Sequence, residues 1–177
     1  MARVLRGDTE AFGLLIRRYE AGLLRFATRL LGSPDDAEGA VAESLARAYR
    51  HLSGCRGVSN LRPWPYGIVA NRCKTYLARS RTAPIALEGA PALAAPADGT
   101  GTLEQREELA LVQKELVRLS SELREAFLLK HDEGMTYAEM TEGTGAPIGA
   151  LKMRVHRGRE ALLKALEHPW PESRSRE

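Results

Sequence analysis

The sequence predicts an all-α protein made of two small helical domains joined by a flexible linker. Three observations carry this reading. Leu, Ala, Arg and Glu dominate the 177 residues, aromatics make up 6%, and no run alternates Val, Ile and Thr at the period of a strand. Apolar residues recur instead at intervals of three and four, the spacing that lines one face of a helix. Between Thr82 and Thr102 that periodicity stops: 13 of these 21 residues are Ala, Gly or Pro and none is Lys or Arg. Such a stretch reads as a linker, stiffened locally by Pro84, Pro91 and Pro96. The expected organisation is a first domain over 1–81, a linker over 82–102, a second domain over 103–168 and a fraying tail over 169–177.

The first helix opens at Asp8, a good N-cap, and runs to about Leu31 before Gly32, with Phe12, Leu15, Ile16, Tyr19, Leu23, Phe26, Ala27 and Leu30 on one stripe. The second takes Ser33 as its cap and Pro34 at its first position, with Asp35 and Asp36 at the positive end of the dipole. Ala37, Val41, Leu45, Ala48 and Leu52 continue its apolar spacing. A turn-rich stretch from Ser53 to Asn60 interrupts the pattern. The third helix begins near Pro63 and reaches about Ser80, with Trp64, Ile68, Val69, Cys73, Tyr76 and Leu77 on its apolar side; Pro65 falls within its first turn.

After the linker, Thr102 and Gln105 form a capping box ahead of Leu109, Val112, Leu116 and Leu119. A helix from about Ser120 to His131 carries Leu123, Ala126 and Phe127 and stops near Gly134. Thr136 and Glu139 make a second capping box on a short helix, Tyr137–Glu142. Gly143 to Gly145 turns the chain, and Pro147 starts a long last helix to about Glu167 with Ile148, Leu151, Val155, Leu162 and Leu166 along one face.

Charge is distributed in blocks. The net charge is only +3, but from Ser44 to Leu87 there is no Asp or Glu and there are eight Arg and Lys. From Leu103 to Gly145 acids lead by ten to five, and from Ala146 to Leu166 five bases face Glu160 alone. A single basic run is most simply a solvated helix face. Two acid-poor basic blocks, one in each domain, point to a polyanion held at two places, with counterion release making the binding salt-sensitive.

The second block sits on a helix-turn-helix layout: a short capped helix, a glycine turn and a longer helix. With Ile148, Leu151 and Val155 turned inward, Ala150, Lys152, Met153, Arg154, His156 and Arg157 fall on the outward arc. Arg can read guanine bidentately, and Lys can contact a base or a phosphate. By geometry alone this is equally an ordinary helical hairpin with a basic tip. A phosphate loop is a poor reading of Gly143 to Gly149, because no strand precedes it and the glycine spacing is wrong.

The residues themselves are more specific. Pro147, Gly149, Lys152, Arg154, His156, Arg157, Arg159 and Glu160 fall in register with the recognition helix of region 4 in extracytoplasmic-function sigma factors. Glu133, Gly134, Thr136, Tyr137 and Glu139 match the helix before it. Residues Gly7 to Arg81 resemble region 2 of the same family: Asp8, Glu10, Ala11 and Phe12 match its opening, Asp36, Ala37, Glu38, Glu43, Leu45, Ala48 and Tyr49 its second helix, and Trp64, Tyr66, Ile68, Asn71, Leu77 and Arg79 its third. The two segments span roughly four-fifths of the chain.

The resemblance implies a transcription initiation factor that binds core RNA polymerase and directs it to promoter DNA. It implies that Ala150, Lys152, Met153, Arg154, His156 and Arg157 enter the major groove at the −35 element. It implies that Arg56, Asn60, Arg62, Trp64, Asn71, Arg72, Lys74 and Arg79 hold melted DNA at the −10 element, where ring stacking and backbone-tracking cations suit a single strand. Asp36, Glu38, Ala42, Glu43, Leu45 and Arg47 would dock on polymerase, and an opposing anti-sigma protein is a further implied partner. The chain departs from the family at Gly39, where many relatives have Asp, and at Ala42, where they have Gln. Thr75 replaces a common Asp, Thr141 and Thr144 replace apolar residues, and Ala150 and Met153 replace hydroxyl residues near the bases. Trp64 reads equally as plain core, and Asn71 as a helix surface residue.

No nucleophile, base and orienting group stand at recognisable spacing, so no enzymatic step is expected, nor any cofactor or metal. Cys55 and Cys73 form neither a zinc motif nor a disulfide framework and read as two thiols in a reducing cytoplasm. His51 and Cys55 are four apart, but two ligands do not make a site. Glu107, Glu108, Asp132 and Glu133 read as solvated charges. No apolar stretch approaches the roughly 20 residues needed to span a bilayer, and no signal pattern opens the chain. Two rivals from other classes remain: a helix-turn-helix regulator that never recruits polymerase, and a helical adaptor whose basic faces meet an acidic protein. The reading rests on two cationic surfaces tethered by a loose joint.

Overall fold

The computed structural model describes residues 9–50, 62–82 and 102–167. Among them are seven helices and no strand. Helix α1 spans Thr9–Leu31, α2 Pro34–Arg50, α3 Pro63–Thr82, α4 Leu103–Arg118, α5 Ser121–His131, α6 Tyr137–Thr144 and α7 Ile148–Glu167. Most of the expected linker, the turn after α2 and the tail lie outside the described residues.

Local chemistry sets these boundaries. Gly32 ends α1 with φ 76°, and Ser33 then caps α2, its Oγ accepting from the Asp36 amide at 3.3 Å. Both capping boxes form: Thr102 with Gln105 on α4 and Thr136 with Glu139 on α6. The Ser120 side chain accepts from the Leu123 amide at the start of α5, and Gly145 closes α6 in the left-handed region at φ 73°. Two helices run slightly past their sequence-predicted ends, α3 to Thr82 and α6 to Thr144.

The first half is a three-helix unit. Leu23, Phe26, Ala27 and Leu30 of α1 are buried against Ala37, Ala40 and Val41 of α2 and Tyr66, Val69, Ala70 and Cys73 of α3. Phe26 meets Tyr66 edge-on, with ring centroids 5.5 Å apart. Burying each large side chain contributes about 1.5–3 kcal/mol before chain entropy is set against it. In the second half Leu116, Ala126, Leu128, Leu129, Met135, Met140, Leu151, Val155 and Leu162 close the core. The inward stripe of α7 is narrower than the spacing suggests. Ile148 stays 44% exposed and Leu166 38%, and Leu109 on α4 is 45% exposed.

The expected joint lies almost wholly outside the described residues, but the halves on either side of it can be followed. The halves are in contact: α3 lies on α6, and α1 packs against α4 and α5. A Cβ on Gly67 of α3 would overlap the carbonyl oxygen of Gly143 in α6, so the two backbones approach as only paired glycines allow. Arg124, 4% exposed, donates from α5 to the carbonyls of Leu30, Val117 and Leu119, binding the end of α1 to the end of α4. Desolvation lowers its guanidinium pKa to about 10.

Candidate nucleic-acid interface

Helix α7 is built to face outward. Leu151, Val155, Gly158 and Leu162 are buried, and a Cβ on Gly158 would stand 3.3 Å from the Leu123 carbonyl oxygen, so α7 lies close on α5 there. On the other arc Lys152, Met153, His156 and Arg157 are exposed, with Ala150 and Arg154 partly so. All six sequence-predicted residues of this helix therefore fall away from the core and share one surface with Arg159. Lys152 lies 5.8 Å from the centre of the Tyr137 ring, which Lys130 also approaches at 5.0 Å. His156 is drawn toward Glu160, Nδ1 to Oε2 being 3.1 Å. This surface can take the phosphates of a duplex while presenting Arg side chains to base edges.

The first half distributes its predicted residues less simply. Arg56 and Asn60 lie outside the described residues. Asn71 and Arg79 are exposed on α3. Trp64 is partly buried and lines an apolar hollow with Tyr19, Leu45 and Ile68. Arg72 pairs with Glu43 across α2 and α3 and stacks over Tyr76 at 5.3 Å. Lys74 reaches Glu125 of α5 at 2.6 Å, and Arg62 donates to the carbonyl of Glu133.

The docking set of α2 is presented outward: Asp36, Glu38, Ala42, Glu43 and Arg47 are exposed, and Leu45 is partly buried. Glu43 accepts from the Tyr76 hydroxyl at 2.8 Å, so a residue expected to face a partner also braces α2 on α3. Gly39 gains a structural reason. A Cβ there would lie 2.9 Å from the Tyr76 hydroxyl, so this tyrosine occupies space that a larger side chain would need. A groove lined by Glu43, Arg47, Arg50, Asn71 and Arg72 runs between the two helices.

Sequence reasoning missed the acids that face these bases. Asp132 and Glu133 are not solvated charges: Asp132 pairs with Arg29 of α1, and Glu133 accepts from the Tyr66 hydroxyl of α3. Burial raises the Asp132 carboxyl pKa, and the Arg29 charge works against that rise. Burial, with Glu133 beside it, also pushes the Tyr66 hydroxyl well above its ordinary value. Glu125 is 2% exposed. The only advance signal was the acid excess of 103–145 facing an acid-free block, which gives the sign of a contact but no partners. Among the described residues no cluster of His, Cys, Asp and Glu could hold a metal ion, and no helix is long and apolar enough to cross a membrane.

Residues 15–82 match the family model of Sigma-70 region 2, and residues 109–162 match Sigma-70, region 4. The RNA polymerase sigma-H factor of Pseudomonas aeruginosa is 32% identical over 175 residues, covering 93% of this chain and 91% of its own. The ECF RNA polymerase sigma-E factor of Escherichia coli K12 is 31% identical over 170 residues, with 90% and 88% covered. Among solved structures, the sigma factor RpoE of Bartonella quintana, in complex with the anti-sigma factor NepR, aligns with a TM-score of 0.74 at 25% identity, covering 92% of this chain and 100% of that one. CnrH, in complex with the cytosolic domain of CnrY, shares the fold at a TM-score of 0.72 and 23% identity, with 96% of each chain covered. The chain belongs to the extracytoplasmic-function group of the sigma-70 family, as a transcription initiation factor that directs RNA polymerase to promoters.

Proposed function

We propose that the work of initiation is divided among three helices. The exposed side of α2, with Asp36, Glu38, Ala42, Glu43, Leu45 and Arg47, docks on core polymerase. Helix α3 and the segment before it, with Arg56, Asn60, Arg62, Trp64, Asn71, Arg72, Lys74 and Arg79, hold the −10 element once it is single-stranded. Helix α7 reads the −35 duplex through Ala150, Lys152, Met153, Arg154, His156 and Arg157. The observation that carries this is the register of α7: buried Leu151, Val155 and Leu162 turn Lys152, Arg154, His156 and Arg157 outward, with Ala150 and Met153 among them, behind a capped short helix.

The first domain is proposed to span 1–81 and the second 103–168, each containing most of one family match, 15–82 and 109–162. The chain acts by binding alone, without an enzymatic step, and works in the cytoplasm where polymerase is. The Bartonella quintana relative is held by an anti-sigma factor, and a protein of that kind is proposed to oppose this chain too.

Run-off transcription with purified core polymerase tests the proposal. Initiation that depends on adding this protein supports it. Specific duplex binding without initiation would favour a regulator that does not recruit polymerase.

A further inference from the structure

We propose that Tyr76 is a positioning residue for polymerase docking: from α3, its hydroxyl holds the Glu43 carboxylate of α2 in the pose that meets core polymerase. This rests on the assignment of the exposed side of α2 to polymerase. The Glu43 side chain is 47% exposed, so it can reach a partner. Both of its oxygens are nonetheless engaged by α3. Oε1 accepts from the Tyr76 hydroxyl at 2.8 Å, and Oε2 pairs with Arg72. Arg72 in turn lies over the Tyr76 ring, 5.3 Å from its centre, so the three side chains form one cluster. Gly39 completes it. The Tyr76 hydroxyl stands 2.9 Å from where a Cβ on Gly39 would be, so the missing side chain is what lets the phenol lean onto α2.

The cluster matters to docking for two reasons. A glutamate on an exposed helix face samples several rotamers, and fixing one on binding costs affinity. Here α3 has already fixed it. Each carboxylate oxygen has two lone pairs, so each can still accept from a cationic or N–H group of polymerase. The second reason is Arg47, one turn along α2 at the spacing where Glu and Arg attract each other. Without the brace, Glu43 is drawn along the helix to Arg47, and two docking charges neutralise one another. The brace keeps them apart. All four residues belong to the first half, so it acts whatever the second half does.

Tyr76→Phe removes only the hydroxyl and keeps the ring under Arg72. Gly39→Ala places a methyl in the space of that hydroxyl, and alanine is the better helix former, so α2 itself is not weakened. Arg72 is left intact, because it is also assigned to the −10 strand. Each change is made in the full chain, alone and together with Glu43→Ala. Biolayer interferometry on immobilised core polymerase reads docking, thermal melting reads stability, and anisotropy on a labelled DNA duplex checks that α7 is untouched.

Tyr76→Phe and Gly39→Ala should each weaken docking about two- to tenfold, the cost of leaving one side chain to be ordered on binding. Duplex affinity should stay unchanged, and the melting temperature of Gly39→Ala should not fall. Glu43→Ala should weaken docking at least as much. Neither change should weaken it further in that background, since both act through Glu43. Unchanged docking by Glu43→Ala would overturn the assignment of Glu43 to polymerase, and the brace with it. Weak docking by Glu43→Ala beside wild-type docking by Tyr76→Phe would overturn the brace and leave that assignment standing. A Tyr76→Phe loss that persists in full on Glu43→Ala would overturn it too, making the hydroxyl a direct polymerase contact. Losses that only follow a lowered melting temperature would reduce Tyr76 to a structural role and overturn the proposal.

Discussion

Lys74 of α3 and Glu125 of α5 form an ion pair across the two halves of the chain, 2.6 Å apart, with the carboxylate almost wholly removed from water. A charge so placed is tolerated only while its partner is present. Lys74→Ala leaves Glu125 buried and unpaired, and should cost about 1–3 kcal/mol of stability, less than a fully buried pair would because Lys74 itself is a third exposed. Replacing both with apolar residues, Lys74→Met with Glu125→Leu, should recover most of that. Thermal melting of the four members of this cycle measures the coupling; additive losses would mean that the pair contributes nothing.

Arg124 anchors the same boundary from the other side. Its three carbonyl acceptors come from the ends of two helices, so Arg124→Met leaves Leu30, Val117 and Leu119 without that donor. Loss of about 2–4 kcal/mol is expected, read as the urea midpoint with an unchanged slope. A loss below about 0.5 kcal/mol would show that solvent reaches those carbonyls already.

The Cys73 thiol is fully buried, and burial with Glu125 nearby lifts its pKa from 9.0 to about 12. In the unfolded chain the thiol ionises near its ordinary value, while in the folded chain it keeps its proton. The folded state therefore binds more protons above pH 9, and stability should fall as pH rises through that window, by up to about 1.4 kcal/mol per pH unit from this group. The slope should be shallower in Cys73→Ala, since any cavity it leaves is the same at every pH. Identical slopes for the two proteins between pH 8 and 10 would rule the thiol out.

On α7, Arg157 is exposed and Arg154 partly so, both clear of the core. Replacing either with Ala should relax base preference at one position of the duplex, at about 1–3 kcal/mol for a lost bidentate contact. Lys152→Ala should instead weaken all duplexes alike and reduce the salt slope by about one. Anisotropy titrations on matched and single-substituted duplexes at several salt concentrations separate the two kinds of contact.

Much of this protein is determined locally. The N-caps Ser33, Thr102, Ser120 and Thr136, the left-handed glycines 32 and 145 and the three-four apolar spacing each act within a few residues, so the helices and their order are legible from the sequence. The outward arc of α7 is legible for the same reason: helical period alone decides which side chains face away from Leu151, Val155 and Leu162.

Tertiary structure decided what those surfaces meet. Lys74 and Glu125 are 51 positions apart, and Arg29 and Asp132 are separated by 103. No local rule pairs residues so distant, and block charge supplies a sign without an address. The meeting of Gly67 with Gly143 is likewise invisible in sequence, because a glycine inside a helix declares nothing about its neighbour until another backbone arrives against it. Sequence therefore specified the helices and the arc of α7, whereas long-range packing chose which cations stayed in solvent and which were drawn into the boundary between the halves.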